Sequence, residues 1–342
     1  MRFAKIMTPH LREFVKFLLQ QFRQDNDVAT IVMQNLVLYF SNRFYYLLDS
    51  FSPAYDIQNE IVFNPDNIKW SIEKISGTDM TMRLLHLRLM VLIIQFDPSE
   101  AVFRKLDFYN FRNVVSRIVP CSEYPEIEME LLEFQYLVTK NYQKCIEAPV
   151  DPRNEAHMEA LDDMYTLIFG ESRLNYKWKD IGFRDENPSS QFSSVGLLGL
   201  ATIHFHLKQH GKFYYRSTWR LFNTMPIMTI LLEVCRSVAD VFGFMDPQRT
   251  LKFDPAILIF ETETFNISVA SFINLWSASH ANDNEYDFKS ILNIFEYHLA
   301  SVRERINHSG LFEKEEFMRE MDVSLLHLRA RYLKSRALGE LR

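Results

Sequence analysis

The chain has 342 residues, 47% of them hydrophobic and 14% aromatic, and carries a formal net charge of −6 at pH 7. That balance excludes a global basic field that would recruit nucleic acid. Only nine glycines and 12 prolines are present, which argues against a barrel or sandwich built on many tight turns. The expected fold class is all-α.

In chain order, Phe3, Ile6, Met7, Leu11, Phe14, Val15, Leu18 and Phe22 recur at spacings of three and four. That is the period of an amphipathic helix. A second helix is expected over 28–49, ending before Ser52-Pro53. Residues 54–79, with Pro65, Gly77 and several Asn and Asp, read as irregular. Met80 to Phe96 reads as a helix stopped by Asp97-Pro98. Further helices fit 99–118 and 126–145, the latter following a proline and opening on acids that oppose the positive end of the helix dipole. Residues 1–148 thus read as a helical N-terminal region, with no fixed repeat period.

Two apolar runs invite a membrane reading. Gln34, Asn35, Asn42 and Arg43 interrupt 28–48, while Arg83 and Arg88 interrupt 82–96. A spanning helix needs roughly 20 predominantly apolar residues, so both read as buried helices. "EAPVDPRNEAH" (147–157) is the expected linker. Beyond it, helices fit 158–169, 197–210, 225–242 (with Pro226 near its start), 268–280, 286–306 and 316–338. "AILIFETETFNI" (256–267) reads as a short β-rich run or an irregular connector.

Three cysteines, Cys121, Cys145 and Cys235, lie far apart and form no CxxC pair. An odd count is a poor disulfide framework, so a reduced, cytoplasmic setting is expected, with Cys121 and Cys145 as small core residues. The N-terminal segment lacks the apolar core of a signal peptide. No Lys-bearing glycine-rich phosphate loop and no G-x-S-x-G elbow occur. "HFHLKQH" brings His204, His206 and His210 onto one helix, without the further ligands that a zinc site wants. A solvated helix face is the reading taken, and no metal or cofactor is expected.

One stretch departs from the rest: "WKDIGFRDENPSSQFSSVGLLGL", Trp178 to Leu200, where three of the glycines and a proline gather in a polar loop hemmed by aromatics. Trp178, Gly182-Phe183, Pro188, Phe192, Gly196, Leu198, Gly199 and Leu200 fall at the spacing of the pattern W-x3-G-F-Q-x3-P-x-T-D-F-R-G-x-G-x-L-G-L. The loop therefore resembles the signature of the ELMO domain family, and the likeness extends over roughly 155–306 with a C-terminal helical tail at 307–342. The resemblance implies a helical domain that regulates small GTPases. Short members are GTPase-activating proteins for Arf-like and Arf GTPases. Long members partner DOCK-type exchange factors toward Rac, through a pleckstrin-homology domain and a proline-rich tail; no proline follows Ile306 here.

The departures bear on chemistry. Where the family has D-F-R-G, this chain has Gln191-Phe192-Ser193-Ser194, so Ser193 stands at the place of the activating arginine, and Ser190 replaces a threonine. An arginine finger is worth roughly 10³ to 10⁵ in rate because it sets a full charge against developing negative charge. A serine hydroxyl offers no such charge. The reading is therefore a regulator of Arf or Arf-like GTPases that is non-catalytic or weakly catalytic. Two alternatives stand beside it: an active GTPase-activating protein using Arg184, which replaces the family's Gln, and a Rac-pathway scaffold joining an exchange factor. Gly182, Gly196 and Gly199 with Trp178, Phe183, Pro188 and Phe192 read as frame, while Arg184, Asp185, Gln191, Ser193 and Ser194 read as partner-facing. The tail "LLHLRARYLKSRALGELR", with five basic residues against one acid, could touch an anionic membrane surface.

Overall fold

The computed structural model describes residues 26–41, 57–120, 123–169, 177–221, 227–250, 252–279, 285–309 and 314–322, with short pieces between 13 and 22 and at 327–330. Every regular element among the described residues is helical. By contacts the chain divides into two units, residues 1–138 with 249–258, and residues 139–248 with 259–342.

The first unit is built on α1 (Asn26–Ser41), α2 (Pro65–Ser76), α3 (Met80–Phe96), α4 (Glu100–Phe108), α5 (Phe111–Ser116) and the first half of α6 (Pro125–Glu147). α3 matches its sequence reading residue for residue. Asp79 caps it by accepting the Met82 N–H at 3.1 Å. The helix then buries Met82, Leu87, Leu89, Met90, Val91, Ile93 and Ile94 on several faces, with α1 and α2 packed against it. A helix apolar nearly all round is a core helix.

Three readings in or beside this unit are corrected. The stretch 54–79 is not irregular where described: a π-helical turn at Asn59–Phe63 leads into α2. Pro65 sits at the first helical position and Asn64 caps by accepting the Asp66 N–H at 3.1 Å. There the proline starts a helix, since its missing N–H is one that needs no partner. The helix read over 99–118 is two, because Asn110 takes a left-handed conformation at φ 60°. Finally, 256–267 is neither β-rich nor irregular. It forms α10 (Pro255–Leu258), a π-helical turn at Phe260–Thr264 and the start of α11 (Phe265–Ser279). Its apolar run is unbroken because Ile257, Leu258, Ile259 and Phe260 are all buried.

The second unit holds α7 (Glu155–Phe169), α8 (Gly196–Leu221), α9 (Ile227–Val241), α11, α12 (Glu285–Ser309) and α13 (Lys314–Met321). α7 and α8 form its main helix pair. Aromatic rings fill the interior: Tyr142 meets Phe244 at 4.7 Å, and Phe272 meets Phe295 at 5.5 Å between ring centres. Such edge and tilted contacts are what ring quadrupoles favour. The residues read as a linker form a tight turn before α7. Asp151 accepts the Arg153 N–H at 2.8 Å and Asn154 accepts the Ala156 N–H at 3.0 Å.

Cys235 is fully buried, which pushes its thiol pKa up, and Cys145 is half-buried rather than core. The readings for Cys121, Pro226, most of 1–22, 42–49 and the basic tail beyond 330 lie outside the described residues. No helix among the described residues is long and apolar enough to cross a membrane.

Candidate functional site

The unusual loop folds as two short 3₁₀ turns, Trp178–Ile181 and Pro188–Phe192, between α7 and α8. Its aromatics point inward. Trp178 meets Tyr165 of α7 edge-on at 5.8 Å and Phe183 at 6.0 Å, and Phe183 meets Phe192 at 6.1 Å. Trp178, Phe183, Pro188 and Phe192 are buried. The first turn ends at Gly182, and its carbonyl accepts both the N–H (3.2 Å) and the hydroxyl (2.7 Å) of Thr229 at the start of α9.

The second turn delivers the chain to α8 through the tightest packing in the loop. Gly196 has φ 52°, and a Cβ there would lie 2.2 Å from the Ile146 carbonyl oxygen and 2.5 Å from that of Cys145. Leu197 N–H donates to the Ala148 carbonyl at 3.0 Å. The first turn of α8 is therefore seated on the end of α6, so the positive end of one helix dipole faces the negative end of the other. At Gly199 a Cβ would fall 2.2 Å from Val195 Cγ2. Only glycine fits either place.

What faces outward is polar. Arg184, Asp185, Glu186, Asn187, Ser190, Ser193 and Ser194 are exposed. Gln191 is half-buried, and its side-chain oxygen accepts the Arg184 N–H at 3.1 Å, tying the two ends of the exposed segment together. The Gln191 amide nitrogen and the Ser189 hydroxyl are buried without a hydrogen-bond partner among the described residues. Of the residues read as partner-facing, Arg184 and Gln191 are thus joined. No hydrogen bond or ion pair links Arg184 to Ser193 or Ser194 among the described residues.

Arg184 leans toward α9. Its side chain is 64% exposed, and a guanidinium nitrogen lies 3.9 Å from Glu233 Oε1. Glu233 belongs to a charged cluster that the sequence reading missed. Arg236 reaches Glu233 at 2.8 Å, Asp240 at 2.9 Å and Glu296 of α12 at 3.0 Å. The i, i+3 and i, i+4 spacing on α9 was the available signal, but the closing partner, Glu296, lies 60 residues away in sequence.

The histidine stretch corrects the solvated-face reading. His206 is buried, with Nδ1 2.6 Å from Asn266 Oδ1, and burial lowers its pKa to about 4 against the opposing effect of that hydrogen bond. His204 lies 2.7 Å from Asp163 of α7, whose carboxyl is held below the usual range chiefly by that bond. His210 alone of the three is exposed. The stretch lies in α8, which packs against both α7 and the π-helical turn, so part of its polar stripe faces neighbours rather than water. No group of three side chains suited to hold a metal converges among the described residues.

Residues 140–292 match the ELMO/CED-12 family. The chain is 20% identical over 153 residues to ELMO domain-containing protein B of Dictyostelium discoideum, covering 40% of this chain and 50% of that one. It is 23% identical over 140 residues to Ankyrin repeat and ELMO domain-containing protein D of the same organism, covering 40% and 11%. With ELMO domain-containing protein 1 of Mus musculus it shares 28% over 81 residues, covering 22% and 24%. The chain spans half or less of the length of these curated relatives. The loop, its aromatic frame and helices α7, α8, α9 and α11 all fall inside the matched stretch. The likeness to the ELMO/CED-12 family thus lies in residues 140–292, which hold the loop and its frame.

Proposed function

We propose that this chain is an ELMO-domain regulator of small GTPases, of the Arf or Arf-like class, that acts in the cytoplasm and binds its partner without supplying a catalytic arginine. The observation that carries this reading is the state of the loop. Its aromatic and glycine frame is complete, while Ser193, at the position where the family resemblance expects arginine, is an exposed neutral side chain. Catalysis by a finger needs a full positive charge against the oxygens of the transferring phosphate. Binding needs only a shaped polar face, and Arg184, Asp185, Gln191, Ser193 and Ser194 supply one.

One observation favours a second reading, in which Arg184 serves as a displaced finger. Its side chain is largely exposed, and its one ion pair among the described residues is a loose one, at 3.9 Å from Glu233. Against it, a guanidinium beside a carboxylate already has part of its charge offset. Single-turnover GTP hydrolysis across a panel of Arf, Arf-like and Rac GTPases, run beside pulldowns in both nucleotide states, separates the readings. Binding without stimulation supports a non-catalytic regulator. Stimulation lost in Arg184→Ala supports the displaced arginine. Binding confined to Rac would replace the Arf class with a Rac-pathway scaffold, and no binding to any member of the panel would overturn the proposal.

A further inference from the structure

Glu233 of α9 is shared between two arginines, each on its own carboxylate oxygen. Arg236 approaches Oε2 to 2.8 Å, while Arg184 of the signature loop stands 3.9 Å from Oε1. The two contacts differ in strength. Arg236 is half-buried and braced by Asp240 at 2.9 Å and by Glu296 of α12 at 3.0 Å, and the Ser237 hydroxyl donates to that same Glu296 oxygen at 2.8 Å. Arg184 has a largely exposed side chain and Glu233 as its one ion-pair partner among the described residues. A carboxylate so placed keeps its stronger partner when the weaker one leaves. Departure of Arg184 therefore strands no charge on Glu233, and breaking a loose, exposed pair costs little.

The backbone that carries Arg184 is fixed by contrast. Its N–H donates to Gln191 Oε1 at 3.1 Å, and two residues earlier the Gly182 carbonyl accepts both donors of Thr229, which lies one helical turn before Glu233. The root of the side chain is held while its guanidinium is releasable. A planar guanidinium meets a carboxylate through two parallel N–H bonds, and exchange of one carboxylate for another changes the charge of neither group. The exposed charges nearby in the loop, Lys177 and Lys179 against Asp180, Asp185 and Glu186, nearly balance. Recognition at this point therefore rests on the fork of Arg184 and not on the net charge of the loop.

We infer that the Arg184–Glu233 pair is an autoinhibitory contact, in which Glu233 holds the loop's arginine until a carboxylate on the surface of the partner GTPase takes its place. This rests on the proposed function and deepens it by naming Arg184 as the residue that grips, Glu233 as its built-in competitor and an Asp or Glu side chain as the partner's group. It also fits binding without catalysis, since a guanidinium docked on a protein carboxylate is not set against the transferring phosphate.

The test uses the full chain and the member of the Arf, Arf-like and Rac panel that it binds best, with affinity measured by titration calorimetry in both nucleotide states. Glu233→Gln removes the competing charge and leaves Arg236 on Asp240 and Glu296, so the melting temperature should change little. Its Kd should fall by about two- to fivefold, the span of an exposed ion pair. Arg184→Ala should raise Kd by about tenfold or more, as loss of hydrogen bonds between charged groups does, and Arg184→Lys should retain only part of the affinity because the fork is lost. In the Arg184→Ala background, Glu233→Gln should have no effect, which is the coupling that a double-mutant cycle reads. Unchanged or weaker binding by Glu233→Gln alone, or an equal gain in the Arg184→Ala background, overturns the inference and leaves the proposed function standing. A loss in Arg184→Ala that is confined to the GTP-bound state and matched by lost stimulation of hydrolysis overturns the assigned carboxylate in favour of the nucleotide's phosphate. Absence of binding to every panel member overturns the inference together with the reading beneath it.

Discussion

The Gly182 carbonyl accepts both the N–H and the hydroxyl of Thr229, 47 residues further along the chain, at 3.2 and 2.7 Å. This pair pins the end of the loop's first 3₁₀ turn to the first turn of α9. Thr229→Val keeps the backbone bond and the side-chain shape but deletes the second donor. A net hydrogen bond is worth about 1 kcal/mol, so a loss of that order is expected in chemical denaturation. Faster cleavage of the loop under limited proteolysis should accompany it.

Frame and face should separate under mutation. Trp178→Ala removes a buried ring that touches Tyr165 and Phe183, and truncating a buried aromatic costs roughly 3–5 kcal/mol. Charge reversal at exposed Arg184 or Asp185 should change stability by only about 0.5 kcal/mol while weakening GTPase binding. Thermal melts set beside binding titrations on the same variants read out both effects. A harmless Trp178→Ala would remove the ring from its role as anchor.

Restoring the family's segment is the sharpest test of catalysis. Gln191→Asp, Ser193→Arg and Ser194→Gly together should raise GTP hydrolysis on a bound Arf-like GTPase, up to a ceiling of about 10³-fold or more set by a well-placed finger. The gain should fall short of that ceiling. Gln191 holds the Arg184 backbone at 3.1 Å, and a shorter aspartate will not span the same distance without loop movement. Misplacement of a catalytic group can cost about 10²-fold. Single-turnover kinetics measures the result.

Acid sensitivity should arise in the first unit. His86 of α3 is fully buried between Phe22 and Trp70, with both ring nitrogens lacking a hydrogen-bond partner among the described residues. Burial, assisted by the charge of Lys74, lowers its pKa to about 3. The unfolded chain takes up a proton near the ordinary value of 6.5 while the folded chain refuses it. Stability is therefore full above pH 6.5 and falls as pH drops from there toward 3, by at most about 1.4 kcal/mol per pH unit from this one group. His206, lowered to about 4, acts in the same sense over a narrower window. Denaturation curves between pH 7 and 5 should show a shallower decline in His86→Phe than in the wild type.

The sequence by itself determined what depends on local spacing. A three-to-four-residue apolar period was enough to mark α3 from Met80 to Phe96, because a helix buries side chains that are near in sequence. The loop frame was equally legible, since left-handed backbone at Gly182 and Gly196 and buried rings at Trp178, Phe183 and Phe192 demand particular residue types at fixed separations. Tertiary structure decided what depends on distant partners. Pro65 could end a helix or begin one, and Asn64 with the buried Ile68 and Ile75 made it a beginning. The apolar run at 256–260 fits a buried strand or a buried helix alike, and burial on all sides erases the period that would distinguish them. His206 turned inward because Asn266, 60 residues on, accepts its ring N–H. Arg184 acquired Glu233 as a neighbour only because α9 packs beside the loop. A contact between residues so far apart leaves no local pattern, so the face proposed to receive a partner had to be read from the fold.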